Sequence, residues 1–248
     1  MIQTGILTAR QTKKIREYAI HMDWDIAFGG RSRGNRHLFR VNRLVKFLQK
    51  AEGGDLDIAL AGGWLHDVGL VKGNRGHCFK GVGIARKFLA GIGVDGKTIS
   101  RIAHIIEAHD GEIPAETIEA KVVHDADTLD KMGPLGFIRH AWKLSNVDYR
   151  DFSVDGLLGF IPGHLEERLH NLYLGSAKDI GKRYAAEVLQ FLKDHVNACA
   201  VTSEVSALAR KGIPTERVIL HLKRKRLLTT RFQKIVDEQL RLSFLKRR

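Results

Sequence analysis

The chain has 248 residues, 41 Lys and Arg against 28 Asp and Glu, a net charge of +13, and two cysteines. Two cysteines exclude a disulfide-stapled scaffold and a cysteine-based zinc module, and a chain this long buries about 70–75% of its unfolded surface without such staples. No run approaches the ~20 apolar residues of a membrane span, and the first residues lack the apolar core of a signal peptide, so a cytoplasmic setting with no membrane partner is expected.

The apolar spacing is helical nearly throughout and Pro is rare, which predicts an all-α fold. A first helix is expected over 9–28, ending before Gly29-Gly30, with a basic loop at 31–36 (RSRGNR). Leu38, Val41, Leu44, Val45 and Leu48 then recur at helical spacing until Gly53-Gly54, and Asp55 reads as the N-cap of the next helix. That helix, expected over 56–68, is apolar on nearly all sides (IALAGGWL), the mark of a buried central helix. His66 and Asp67 at its end are unexpected in such surroundings. A second basic loop, 70–76 (LVKGNRG), precedes helices expected at 77–90, 97–109, 117–130, 135–146, 164–173 and 176–198. Gly212-Ile213-Pro214 reads as a linker, followed by a basic amphipathic helix or pair of helices over about 215–245. Residues 201–248 hold 13 Lys and Arg against 4 Asp and Glu, a net of +9. The expected organisation is therefore a helical domain over 1–200 and a basic helical extension over 201–248. Such an extension suits nucleic acid or an ordinary solvated helix face.

Imidazole and carboxylate bind borderline and hard divalent metals. His37, the adjacent pair His66-Asp67, and Asp127 fall on separate predicted helices, and drawing one ligand from each of several helices is a common way to build a metal site in an all-α core. His77 and His109 lie between the pair and the last Asp.

Four separated pieces, H-L-F-R-V at 37–41, A-G-G-W-L-H-D-V-G at 61–69, H-C-F-K-G at 77–81 and E-A-K-V-V-H-D-A-D-T-L-D at 119–130, occur in the order found in the HD-domain phosphohydrolase superfamily, which the chain resembles over roughly 15–145. The resemblance implies an HD-type helical bundle, with His37, His66, Asp67 and Asp127 holding a first metal. It implies a second metal on His77 and His109, with Asp67 bridging. Gly81, one turn after His77, leaves room for close approach. The placement of His109, 18 residues before Asp127, is similar to that in the subgroup that cleaves diadenosine tetraphosphate. Ligand types alone leave the ion open among Mn, Fe, Co, Ni, Zn and Mg.

A divalent ion lowers the pKa of bound water to about 7, and phosphoryl transfer needs mainly positioning and charge neutralisation. Arg36, Arg40, Lys72 and Arg75 bracket the ligands and suit an anionic substrate. The expected activity is hydrolysis of a nucleotide or other phosphorylated small molecule, with Asp67 and His109 as catalytic residues. Two alternatives stay open: a nucleotide- or RNA-binding module with little turnover, and a di-iron oxygenase of the same superfamily. His21, His104, His140, His164, His170, His195 and His221 are expected to be hydrogen-bonded structural residues, His124 to support or face solvent, and Asp125 and Asp130 to cap or orient.

Overall fold

The computed structural model describes residues 6–147 and 153–241. Twelve α-helices and no strand occur among the described residues, the all-α fold that the periodicity predicts. The described residues form two compact units, the first within 1–33 and 41–127, the second within 34–40 and 128–248.

In the first unit, α1 (Ala9–His21) opens on a capping box in which the Thr8 hydroxyl accepts from the Gln11 amide at 3.2 Å and the Gln11 side chain accepts from the Thr8 amide at 2.9 Å. The helix stops seven residues before the expected end. A π-turn (Met22–Ile26) and a 3-10 turn (Ala27–Gly30) follow, with Phe28 and Gly29 in left-handed backbone at φ 53° and 64°. Local side chains stabilise that departure: Ser32 donates to the Asp23 carbonyl, and Asp25 takes both His21 and Arg33.

The helix α2 (His37–Glu52) buries Val41, Leu44, Val45 and Leu48, the residues read from its spacing. It ends at Gly53 and Gly54, both with positive φ. The Asp55 carboxylate accepts from the Ile58 amide at 3.1 Å and starts α3 (Leu56–Leu65), as expected. Ile58, Ala59, Ala61 and Leu65 are buried. Enclosing a side chain such as Leu65 contributes about 1.5–3 kcal/mol. α3 packs against α1 and α5 (Gly96–Ala108). A Cβ at Gly62 would lie 2.5 Å from Ile105 Cγ2, so only glycine allows this approach of α3 to α5. α3 ends three residues early, and a 3-10 turn (Val68–Lys72) leads to α4 (His77–Gly91), which packs on that turn and on α5. Ile118–Asp130 forms α6.

In the second unit, α7 (Gly133–Asn146) is the central element. It packs against α9 (Gly175–Leu192), α10 (His195–Arg210), α11 (Thr215–Arg224) and α12 (Thr230–Arg241). Gly133-Pro134 opens this helix two residues before its expected start, Pro being pre-shaped for a first turn. The expected 176–198 helix is broken where Asp194 caps α10 through the Asn197 amide at 3.1 Å. α8 (Val154–Asn171) begins ten residues before its expected start and carries Pro162 within it. Rings of Phe137, Phe191 and Phe232 meet at centroid distances of 4.3 to 6.3 Å. Gln239 of α12 accepts from the Leu135 amide at 2.9 Å and donates to the Met132 carbonyl at 3.0 Å. Trp142 Nε1 donates to the carbonyl of Ile213, inside the expected linker, at 2.7 Å. The basic segment thus contributes an apolar face to this unit's core. Residues 242–245 of its expected helix lie outside the described residues.

Candidate metal centre

Three histidines of the first unit stand at helix ends, and each turns Nδ1 back to a carbonyl three residues earlier. His66 meets Gly63 at 2.9 Å, His77 meets Asn74 at 3.0 Å, and His109 meets Ile106 at 2.7 Å. A carbonyl oxygen only accepts, so each Nδ1 carries the proton and each Nε2 presents a lone pair. This is the tautomer a divalent cation requires.

The Nε2 atoms converge on Asp67. Oδ2 of Asp67 lies 3.3 Å from His66 Nε2, and Oδ1 lies 3.3 Å from His77 Nε2 and 3.6 Å from His109 Nε2. His66 Nε2 is also 3.7 Å from Oδ1 of Asp127. The neighbouring helix residues His66 and Asp67 point about 100° apart, and the turn after Leu65 is what lets them share a centre. Asp67 is half-buried; His66, His77, His109 and Asp127 are buried.

The donor set fits a cation. His77 and His109 bring their Nε2 atoms within 3.1 Å of each other. With both Nδ1 atoms donating to carbonyls, each Nε2 carries a lone pair when its ring is neutral, and a cation beside the pair would relieve their contact. Full burial pushes the His109 imidazole below its ordinary range, despite the hydrogen bond and charge of Asp67, and so favours the neutral ring. His66, Asp67 and His109 form one group able to hold a metal ion, and His77, His109 and Asp110 another. Asp110, exposed and 3.9 Å from His77 Nδ1, has no motif to mark it in the sequence.

Glycines fix this geometry. A Cβ at Gly69 would lie 1.8 Å from the His77 carbonyl oxygen and 2.7 Å from the Gly81 amide nitrogen, and one at Gly81 would meet Ile106 Cγ2 at 3.1 Å. The turn after Asp67 therefore lies directly on the first turn of α4.

His37 belongs to the second unit, where the same device recurs with a carboxylate: its Nδ1 lies 2.8 Å from Asp130 Oδ2. Asp130 orients this histidine, the part expected of it, and also accepts from Arg40 Nε at 2.6 Å and Nη2 at 3.1 Å. Burial opposes the Asp130 charge, but Arg40, His37 and Arg139 hold its carboxyl well below the usual range. Glu216 of α11 accepts from Arg40 Nη1 at 2.7 Å and from the Arg36 amide at 3.1 Å. Asn35 Oδ1 accepts from the Thr215 amide at 3.0 Å and its hydroxyl at 2.8 Å. The basic segment is thus hydrogen-bonded to the residues around His37, which no local pattern announces.

The four cations expected to meet phosphate differ in placement. Lys72 and Arg75 are exposed after the His-Asp turn, and their carbonyls accept from Lys80 Nζ at 3.2 and 2.7 Å. Arg36 is half-buried, its guanidinium carbon 4.9 Å from the Phe39 ring centre. Arg40 does not suit the role: it is 1% exposed and its guanidinium is enclosed between Asp130 and Glu216.

Of the remaining histidines, His104 Nε2 accepts from the Glu116 amide at 3.1 Å and buried His124 meets Asp125 at 2.9 Å. His21 and His195 are exposed ion-pair partners of Asp25 and Asp155.

Helices bring buried imidazoles and carboxylates together around Asp67, in groups able to hold a metal ion. Residues 35–132 match the HD domain family. Solved structures share the fold. A Lactobacillus plantarum protein is 24% identical at TM-score 0.61, covering 76% of this chain and 96% of that one. Bacillus subtilis YpgQ in complex with ADP is 20% identical at TM-score 0.58, covering 75% and 93%. An HD-superfamily hydrolase from Bacillus thuringiensis is 22% identical at TM-score 0.58, covering 76% and 96%. No helix among the described residues is long and apolar enough to cross a membrane.

Proposed function

We propose that this protein is a metal-dependent phosphohydrolase acting on a nucleotide or another small phosphorylated molecule. The observation that carries the reading is the division of Asp67: one oxygen faces His66, the other faces His77 and His109. A carboxylate so shared suits two divalent ions held side by side. His66, Asp67 and Asp127 would hold one ion; His77, His109 and Asp67 would hold the other. Such a pair, when bound, supplies Lewis acidity that lowers the pKa of a coordinated water and polarises a phosphoryl oxygen.

The protein's own groups do the rest. Asp67 keeps its carboxylate between the two ligand sets. His109 has Nδ1 committed to the Ile106 carbonyl and Nε2 turned to His77 and Asp67, so it acts as a ligand and not as a proton carrier. Lys72 and Arg75, exposed on the loop after Asp67, are suited to meet phosphate oxygens. The ADP complex of YpgQ, a protein of the same fold, supports a nucleotide as substrate class.

The test is a nucleotide panel assayed for phosphate release with Mn²⁺, Co²⁺, Ni²⁺ or Fe²⁺, alongside metal analysis. The wild-type protein is expected to release phosphate from at least one compound, and Asp67→Ala to release none while folded. Undiminished release by Asp67→Ala overturns the site, and oxygen-dependent substrate loss without phosphate release overturns the reaction.

A further inference from the structure

Asp155, His195 and Cys199 form a side-chain cluster on the second unit, apart from the residues of the candidate metal centre. His195 and Cys199 are four residues apart on the first turns of α10, so they share one helix face. Asp155 stands in the first turn of α8, which packs against α10. His195 Nε2 is 3.0 Å from Asp155 Oδ1, Cys199 Sγ is 3.5 Å from His195 Nε2, and Sγ is 3.7 Å from Asp155 Oδ1.

Those distances describe one face of a coordination tetrahedron. Zinc bonds of ~2.3 Å to sulfur and ~2.0–2.2 Å to nitrogen and oxygen imply edges of ~3.6 Å for each sulfur pair and ~3.4 Å for the nitrogen–oxygen pair. The observed edges depart from these by a few tenths of an ångström. Thiolate, imidazole and carboxylate together select a borderline-soft divalent ion, and an ordinary ion pair would need no sulfur at its third corner. We propose that Asp155, His195 and Cys199 bind a zinc-type divalent cation, clamping the start of α8 to the start of α10, with water at the fourth position.

Partial burial and the Asp155 carboxylate raise the Cys199 thiol above its usual range, so a cation has to displace the thiol proton and its binding strengthens as the pH rises. Leu157, Leu158 and Ile161 of α8 and Ala198 and Val201 of α10 are buried, and the two helices pack against each other. The ligands are therefore brought together by packing before the ion arrives, and little ordering cost falls on binding.

The test is a Cd²⁺ titration of the full chain, read by the ultraviolet cadmium–thiolate charge-transfer band. Wild type and Cys78→Ser are expected to develop the band at one equivalent of sulfur-bound metal, and Cys199→Ser to lose it. His195→Ala and Asp155→Asn should each weaken Cd²⁺ by about tenfold or more, and Zn²⁺ should compete the band away. A band retained in Cys199→Ser, or none in wild type, overturns the site. Because Cys199 plays no part in the proposed hydrolysis, Cys199→Ser should keep the metal and phosphate release assigned to Asp67. Failure of either reading is thus visible separately.

Discussion

A Cβ placed on Gly69 would lie 1.8 Å from the carbonyl oxygen of His77. The two residues belong to the elements that carry Asp67 and the third histidine, and their contact sets the distance across the centre. Gly69→Ala cannot be accommodated by a side-chain rotation, because the opposing atoms are backbone. Overpacking typically costs 1–3 kcal/mol, and a backbone clash lies at or above about 3. Gly69→Ala should lower the melting temperature and also reduce bound metal in whatever protein remains folded. Wild-type stability and metal content in this variant would show that the turn does not press on α4.

Asp130 supports a different part of the protein. It accepts two hydrogen bonds from Arg40 and lies against His37, with all three side chains buried. Removing one partner of a buried ion pair leaves an uncompensated charge and costs about 3–5 kcal/mol. Asp130→Asn should therefore lose stability on that scale in urea unfolding. Arg36→Ala, at a half-buried position, should change it by less than about 1.5 kcal/mol. A loss for Asp130→Asn no larger than that of Arg36→Ala would mean the network does not secure the fold.

Asp67 faces two ligand sets, so removing one set should not empty the other. His77→Ala takes away a group near Oδ1, whereas His66→Ala acts at Oδ2. His77→Ala is expected to bind about half the wild-type metal and to lose at least 10²-fold in phosphate release, since a positioning error of ~1 Å already costs that much. Asp67→Ala should retain less metal than either histidine variant. If His77→Ala left the metal content unchanged, the division of Asp67 between two ions would be wrong.

Much of this was legible from local signals. Asp55 caps the helix it precedes, and Gly53-Gly54 stops α2, because capping and left-handed turns depend on neighbours in the chain. The four motifs that carry the resemblance fall inside the span matched by the HD family. What escaped depends on distant contacts or backbone atoms. The first half of α8 is rich in glycine and contains Pro162, a pattern that argues against helix, yet Leu157, Leu158, Ile161 and Leu165 are buried and packing outweighs propensity. Arg40 reads as a phosphate contact from its position beside His37; only Glu216, 176 residues later, shows that its charge is already engaged. The carbonyls of Gly63, Asn74 and Ile106 select the histidine tautomers and have no side-chain identity to read.

His164 gives a dependence on pH that is independent of the metal centre. Its ring is tilted against Phe160 and close to His140, and Nε2 accepts from Arg168 Nε at 2.9 Å. Burial, then the charges of Arg168, His140 and Lys131, push its pKa down to about 3 from an ordinary 6.5. The unfolded chain therefore binds a proton between pH 6.5 and about 3 that the folded chain refuses, and stability must fall as the pH drops through that window. Above pH 6.5 both states are neutral and the contribution is fully present. Partial exposure of His164 screens the effect, so the direction is the firm expectation. His164→Phe preserves an aromatic ring beside Phe160 and cannot titrate. Its melting temperature relative to wild type should rise as the pH is lowered from 8 to 5. A difference that stays constant over that range would mean that His164 takes up its proton without unfolding anything.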